Sequence, residues 1–111
     1  MSLITEIRTS TYFILASLLD GPLHGYAIAA RARELSGGEV RLTAGTLYGA
    51  LERLAEQALV AVADETIVNG RARRTYRLQD GGRALLAAEA DRLAAAARVV
   101  RTRLAPAEAR R

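Results

Sequence analysis

The 111 residues include no cysteine, no lysine and no tryptophan, and histidine occurs once. Without cysteine there is no disulfide scaffold, no thiolate zinc site and no cysteine nucleophile. A lone His24 cannot build a multi-histidine metal site. It could complete a Ser-His-Asp set only with partners that the sequence does not bring into view, so capping or packing is its expected role. No tuned acid, base or metal set stands out, so the expectation is a protein that is not an enzyme and carries no metal or cofactor. No apolar run approaches the roughly 20 residues of a membrane span. The N-terminus has no basic start before an apolar stretch. A soluble, cytoplasmic protein with no membrane partner is expected.

What is present is a chain half apolar and one quarter charged, with formal net charge +4. That length suits one domain with a modest core and does not suit a disordered chain. All 16 basic residues are arginine, and alanine is abundant, as in a GC-rich coding background. Arginine number is therefore a weak sign of nucleic acid, and placement counts for more. Residues 41–83 hold seven arginines against five acids, and residues 84–111 hold six against three. The densest cluster is Arg71, Arg73, Arg74, Arg77 and Arg83, opposed locally only by Asp80.

Leu3, Ile7, Ile14, Leu15, Leu18 and Leu19 recur at helical spacing and predict a first helix from Leu3 to Leu19. Asp20-Gly21-Pro22 ends it. A second helix is predicted from His24 to Leu35, stopped by Ser36-Gly37-Gly38. Thr43 is a suitable N-cap for a third helix, whose stripe of Leu47, Leu51, Leu54 and Ala58 faces inward. The pattern then turns strand-like at Leu59–Ala63, Thr66–Val68 and Thr75–Leu78. Asn69-Gly70 is a hairpin signal, because both residues tolerate positive φ. After a break at residues 79–82, where Asp80 could cap, a long helix is predicted from Arg83 to about Leu104. Its seam of Leu86, Ala90, Leu93, Ala97, Val100 and Leu104 is heptad-like. The order of three helices, a hairpin and a long helix is that of a winged helix-turn-helix with an added helix. The predicted class is mainly α with a small β-hairpin. Residues 1–79 would be the DNA-binding domain, and residues 80–111 a C-terminal dimerisation helix and tail.

Three segments resemble the PadR family of bacterial transcriptional regulators, in order and in register over about residues 10–90. They are Leu19-Asp20-Gly21-Pro22-Leu23-His24-Gly25-Tyr26-Ala27-Ile28, then Gly45-Thr46-Leu47-Tyr48-Gly49-Ala50-Leu51-Glu52-Arg53-Leu54, then Arg73-Arg74-Thr75-Tyr76-Arg77-Leu78 followed by Gly82-Arg83. The short last helix resembles the compact branch of the family. Three positions depart from it: Gly49 replaces a usual Pro, Ala58 a frequent Gly, and Gln79 a common Thr. The resemblance implies a homodimeric regulator, a repressor, that binds an inverted-repeat operator in double-stranded DNA.

In that reading helix three enters the DNA. Its first turn, with Thr43, Thr46 and Tyr48, offers amides, hydroxyls and a phenol to phosphates and base edges. Glu52 and Glu56 repel phosphate, so the later turns should lie away from the backbone or pair with Arg53, itself a candidate contact. Tyr26 is a candidate for a backbone contact from helix two. Arg71, Arg73 and Arg74 flank the hairpin tip, with Arg71 and Arg73 on one face and Arg74 on the other. A solvated basic edge is the plainer alternative. The predicted dimer interface is Leu3, Ile4, Ile7, Leu86, Leu93, Val100 and Leu104. In some relatives helix one and the last helix line a pocket for flat or phenolic ligands, which makes Tyr12 and Phe13 candidates for a small aromatic effector site. The lack of tryptophan favours plain packing there. A second function class stays open: a winged-helix protein-interaction module that binds no DNA.

Overall fold

The structure, a computed structural model, describes residues 7–106. It contains α1 (Thr9–Ser17), β1 (Leu23–His24), α2 (Gly25–Leu35), α3 (Ala44–Glu56), β2 (Val60–Val68), β3 (Arg71–Leu78) and α4 (Asp80–Leu104). The three strands form one antiparallel sheet in the order β1-β3-β2. This is the winged helix-turn-helix with a C-terminal helix that the element order predicts.

The core is built where helical stripes meet the base of the sheet. Ile14, Leu15 and Leu18 from α1, Ile28 from α2, Leu47, Leu51 and Leu54 from α3, and Val60 and Tyr76 from the sheet are all buried. Ser17, also buried, donates its hydroxyl to the Ile14 carbonyl at 2.6 Å. It therefore avoids the cost of an unsatisfied buried group.

Helices α2 and α3 end in the same way. Gly38 N–H donates to the Arg33 carbonyl and Gly37 N–H to that of Glu34; likewise Leu59 N–H donates to Leu54 and Ala58 N–H to Ala55. Both are Schellman endings, which place one residue in the left-handed region. In the first that residue is Gly37 (φ 66°); in the second it is Ala58 (φ 60°), where a Cβ is unfavourable. Ala58→Gly is expected to raise stability by about 1 kcal/mol, the strain relief outweighing the added unfolded-state entropy. Thermal unfolding checks this; an unchanged or lower midpoint would contradict it.

The hairpin turns through Asn69 (φ 52°) and Gly70 (φ 78°), the two-residue turn that the dipeptide predicts. β2 runs unbroken from Val60 to Val68, with one extra residue at Ala63 between the Val62↔Tyr76 and Asp64↔Thr75 pairs. The two-residue turn sets Glu65 opposite Arg74; the bulge then shifts the register by one, so that Val62, not Ala63, faces Tyr76.

Several boundaries differ from expectation; β3 begins at Arg71, not Thr75. The described part of α1 begins at Thr9, with Arg8 at the N-cap, and ends at Ser17, not Leu19. α4 begins at Asp80, not Arg83: Gln79 is the N-cap, without a side-chain bond, and Asp80 sits in the first turn, where its charge suits the helix dipole. Gly81 and Gly82 are thus inside the helix. A Cβ on Gly82 would collide with the Leu59 carbonyl, so that close approach requires glycine.

The first half of α4 packs on α1 through Leu85, Leu86 and Glu89. Glu89 is buried and accepts from Arg92 Nε at 3.0 Å and Nη2 at 2.5 Å. Those bonds hold its carboxyl below the usual range. The stability so gained is present above that range and is lost as pH falls through the lowered value. From Asp91 to Leu104 every residue of α4 is exposed. The radius of gyration, 17.0 Å, exceeds the roughly 13 Å of a compact chain this long, because α4 projects.

Candidate nucleic-acid interface

The site begins at two helix N-termini. Pro22 leads into the short β1, which pairs Leu23 with Tyr76 and His24 with Thr75. This fixes the start of α2 against the hairpin. His24 Nδ1 accepts from Ala27 N–H at 3.3 Å, so His24 is the cap of α2. Gly25 follows, and the Tyr48 side chain of α3 lies directly on it: a Cβ there would sit 2.6 Å from the Tyr48 hydroxyl and 2.8 Å from two ring carbons. The His-Gly-Tyr and Thr-Leu-Tyr segments, twenty-odd residues apart, are therefore two halves of one contact. The next residue, Tyr26, is 81% exposed.

At the start of α3 the Thr43 hydroxyl accepts from Thr46 N–H at 3.2 Å and donates to Thr46 Oγ1 at 3.0 Å. The Thr43 proton is thereby used inside the cap. Thr46 keeps its own proton, exposed, for an outside acceptor. Thr43 is the capping residue of α3.

A cleft between these helices and the wing is lined by His24, Tyr26, Tyr48, Asn69, Arg71 and Arg73. It joins four of the sequence-predicted residues. Thr46 and Arg53 face a different groove, between α3 and α1, together with Arg8, Ser10, Thr11 and Gln57. Sequence reasoning missed Arg8 there, since it precedes the helix and belongs to no pattern. Arg53 makes no ion pair with Glu52 or Glu56; its guanidinium lies beside Gly49.

Arg74 is a third case. It sits on the other face of β3, donates Nε to Glu65 at 3.2 Å, and lines a hollow with Glu52 and Tyr76. Hydrogen bonding to Glu65, and then to Tyr76, raises its pKa above the ordinary guanidinium value. Its charge is already answered within the hairpin. Among the described residues Arg71 and Arg73 have no carboxylate partner.

Leu86, expected at a dimer interface, is buried in the chain's own core, and Ile7 packs partly against the same core. Leu3 and Ile4 lie outside the described residues. Leu93, Val100 and Leu104 are exposed, as an interface requires. Tyr12 and Phe13 meet edge to face at 5.2 Å, and Tyr12 packs on the core; neither lines the clefts above. Among the described residues no three His, Asp or Glu converge as a metal site would need, and no helix is long and apolar enough to cross a membrane.

Comparison with known proteins agrees with this geometry. Transcriptional regulator Rv3488 of Mycobacterium tuberculosis is 42% identical over 73 residues, 66% of this chain and 64% of that one. A longer curated relative, from a Streptomyces fradiae transposon, is 47% identical, but the match spans 22% of its length. The chain thus spans less than two thirds of the curated relatives it matches. A PadR family transcription regulator from hypervirulent Clostridium difficile superposes with TM-score 0.72 at 25% identity, over 88% of this chain and all of that one. Bacillus subtilis PadR, in complex with operator DNA, superposes with TM-score 0.62 at 28% identity, over 71% of this chain and 46% of that one. Rv3488 and the Clostridium difficile protein are transcriptional regulators, not enzymes. The profile of the transcriptional regulator PadR-like family matches residues 14–88, which take in the whole helix-turn-helix, the wing and the start of α4. With the Gly25–Tyr48 contact and the basic wing inside that span, the chain belongs to the PadR-like family of transcriptional regulators.

Proposed function

We propose that this regulator is a repressor that binds an inverted-repeat operator as a homodimer. Residues 1–79 contact DNA and residues 80–111 join two copies. The observation that carries the reading is the convergence of Tyr26, Tyr48, Arg71 and Arg73 on one cleft beside the exposed first turn of α3. Such a turn enters a major groove while a flanking hairpin grips the adjacent backbone. The operator DNA bound by the Bacillus subtilis relative supports the same use of the fold. The distal half of α4 supplies the argument for a second copy, because Leu93, Val99, Val100 and Leu104 are exposed on a helix that the other described residues leave uncovered. Isolated helices of that length are marginal in water.

Titration of the purified chain onto duplex DNA at increasing salt tests this. Each phosphate neutralised contributes about −0.9 to the slope of log K against log salt. A slope of several units is expected. A slope near zero would overturn DNA binding and favour a protein-docking module.

A further inference from the structure

Tyr26 belongs to two clefts. One is shared with the wing arginines; the other, on its far side, is formed with Ala29, Ala30, Arg33, Arg41 and Leu42. Tyr26, Ala30 and Arg33 stand at i, i+4 and i+7, so they share one face of α2. Arg41 reaches the same cleft from the loop between α2 and α3. Its Nε donates to the Gly38 carbonyl at 3.2 Å, which fixes the side chain and leaves the terminal nitrogens free.

We infer that Arg33 and Arg41 form a second grip on the DNA backbone, with Tyr26 as the wall between it and the wing. The inference rests on the proposed DNA-binding reading and extends it to residues that no motif marks. Three observations support it. First, neither arginine has a carboxylate partner among the described residues. Second, the nearby acids Asp20 and Glu34 are held by Arg31, at 3.3 and 2.6 Å, so they do not cancel the two free charges; exposed Glu39 is the remaining acid of this loop. Third, the cleft alternates in chemistry as a phosphodiester strand does. Ala29, Ala30 and Leu42 give an apolar floor for a deoxyribose, and the guanidiniums and the phenol supply donors for the phosphates on either side. Ala30 matters by its smallness, because it leaves room between Tyr26 and Arg33 for a sugar.

The resulting picture is a continuous track from Arg71 and Arg73 past Tyr26 to Arg33 and Arg41, beside the exposed first turn of α3. Contacts on both sides of Tyr26 would set the angle at which that turn meets the bases. They would do so without reading sequence themselves.

The test compares the full chain with the Arg33→Gln/Arg41→Gln variant on a duplex selected by the wild type. The slope of log K against log salt should become shallower by about 0.9 per arginine removed, close to two units per half-site. Affinity for unrelated duplexes should fall by the same factor as for the selected one. Arg33→Lys/Arg41→Lys should restore the slope, since charge and not fork geometry dominates that term. Phosphate ethylation should stop interfering at positions that remain sensitive in an Arg71→Gln/Arg73→Gln variant. Unchanged slope and interference in the glutamine variant, with the wild type binding normally, would overturn this inference alone. Absence of duplex binding by the wild type would overturn the function proposed above and this inference with it.

Discussion

Replacing Arg71 and Arg73 together by alanine is expected to weaken duplex binding by at least about 100-fold per half-site, since each hydrogen bond to a charged group contributes roughly 1.5–3 kcal/mol. The loss should be nearly the same for every sequence if, as proposed, these side chains meet phosphates, and the salt slope should flatten by about one unit for each. Arg74→Ala on the same strand is the internal control. Arg74 lies on the other face, engaged with Glu65 at 3.2 Å, so its loss should leave both affinity and slope close to wild type. Thr46→Ala should differ from both, shifting preference among base sequences more than the salt dependence. Titration of the four proteins on one preferred and one scrambled duplex separates these outcomes. Equal effects of Arg71/Arg73 and Arg74 would mean that the wing acts only as a diffuse basic edge.

Leu93→Glu is expected to convert the proposed dimer to monomer and to remove high-affinity operator binding. Leu93 lies on α4 beyond the part that packs on α1, and it is 42% exposed within one chain. In a dimer it would be buried, contributing about 1.5–3 kcal/mol per copy. A carboxylate there would be taken from water without a partner, a cost that dissociation avoids. Two half-sites held by tethered reading heads gain through effective concentration; free monomers lose that gain. The monomer should stay folded, because Leu93 is outside the core. Leu86→Ala should do the reverse. Leu86 is 6% exposed within its own chain, so its truncation should lower stability by about 2–5 kcal/mol without selectively dissociating the dimer. Sedimentation of both variants alongside thermal unfolding checks the pair. A dimer that survives Leu93→Glu would move the interface elsewhere.

These contrasts mark where sequence reading reaches its limit. Leu47, Leu51 and Leu54 of the α3 stripe and the Asn69-Gly70 turn were legible because burial and positive φ leave local traces, whereas Ala58, expected on that stripe, lies beyond the helix, exposed and left-handed. The outer half of the hairpin was not legible. Its residues are exposed on both faces, so no alternation of period two exists to be found, and Asp64-Glu65 reads as a break. β1, only two residues long, is too short for any period. Gly81-Gly82 resembles a stop because glycine disfavours helix, and only the packed structure reveals the Leu59 carbonyl that demands it. One heptad seam runs from Leu86 to Leu104, yet its first turn serves the chain's own core and its later turns face water. Periodicity cannot divide such a seam between two partners. For the wing, alternation separated Arg71 and Arg73 from Arg74. The register that sets Glu65 opposite Arg74 follows from the two-residue turn, but an ion pair across two exposed strands leaves no periodic trace of its own. The Gly25–Tyr48 contact was visible as two motifs but not as one interaction.

The central claim is that two copies of α3 and its wing read one duplex symmetrically. Hydroxyl-radical footprinting on a selected duplex, with stoichiometry measured on the same complex, tests it most directly. Two protected half-sites centred roughly 34–36 Å apart, one helical turn, with two chains per duplex, are expected. A single protected half-site with one chain bound, or protection that spreads evenly without a centre, would contradict it.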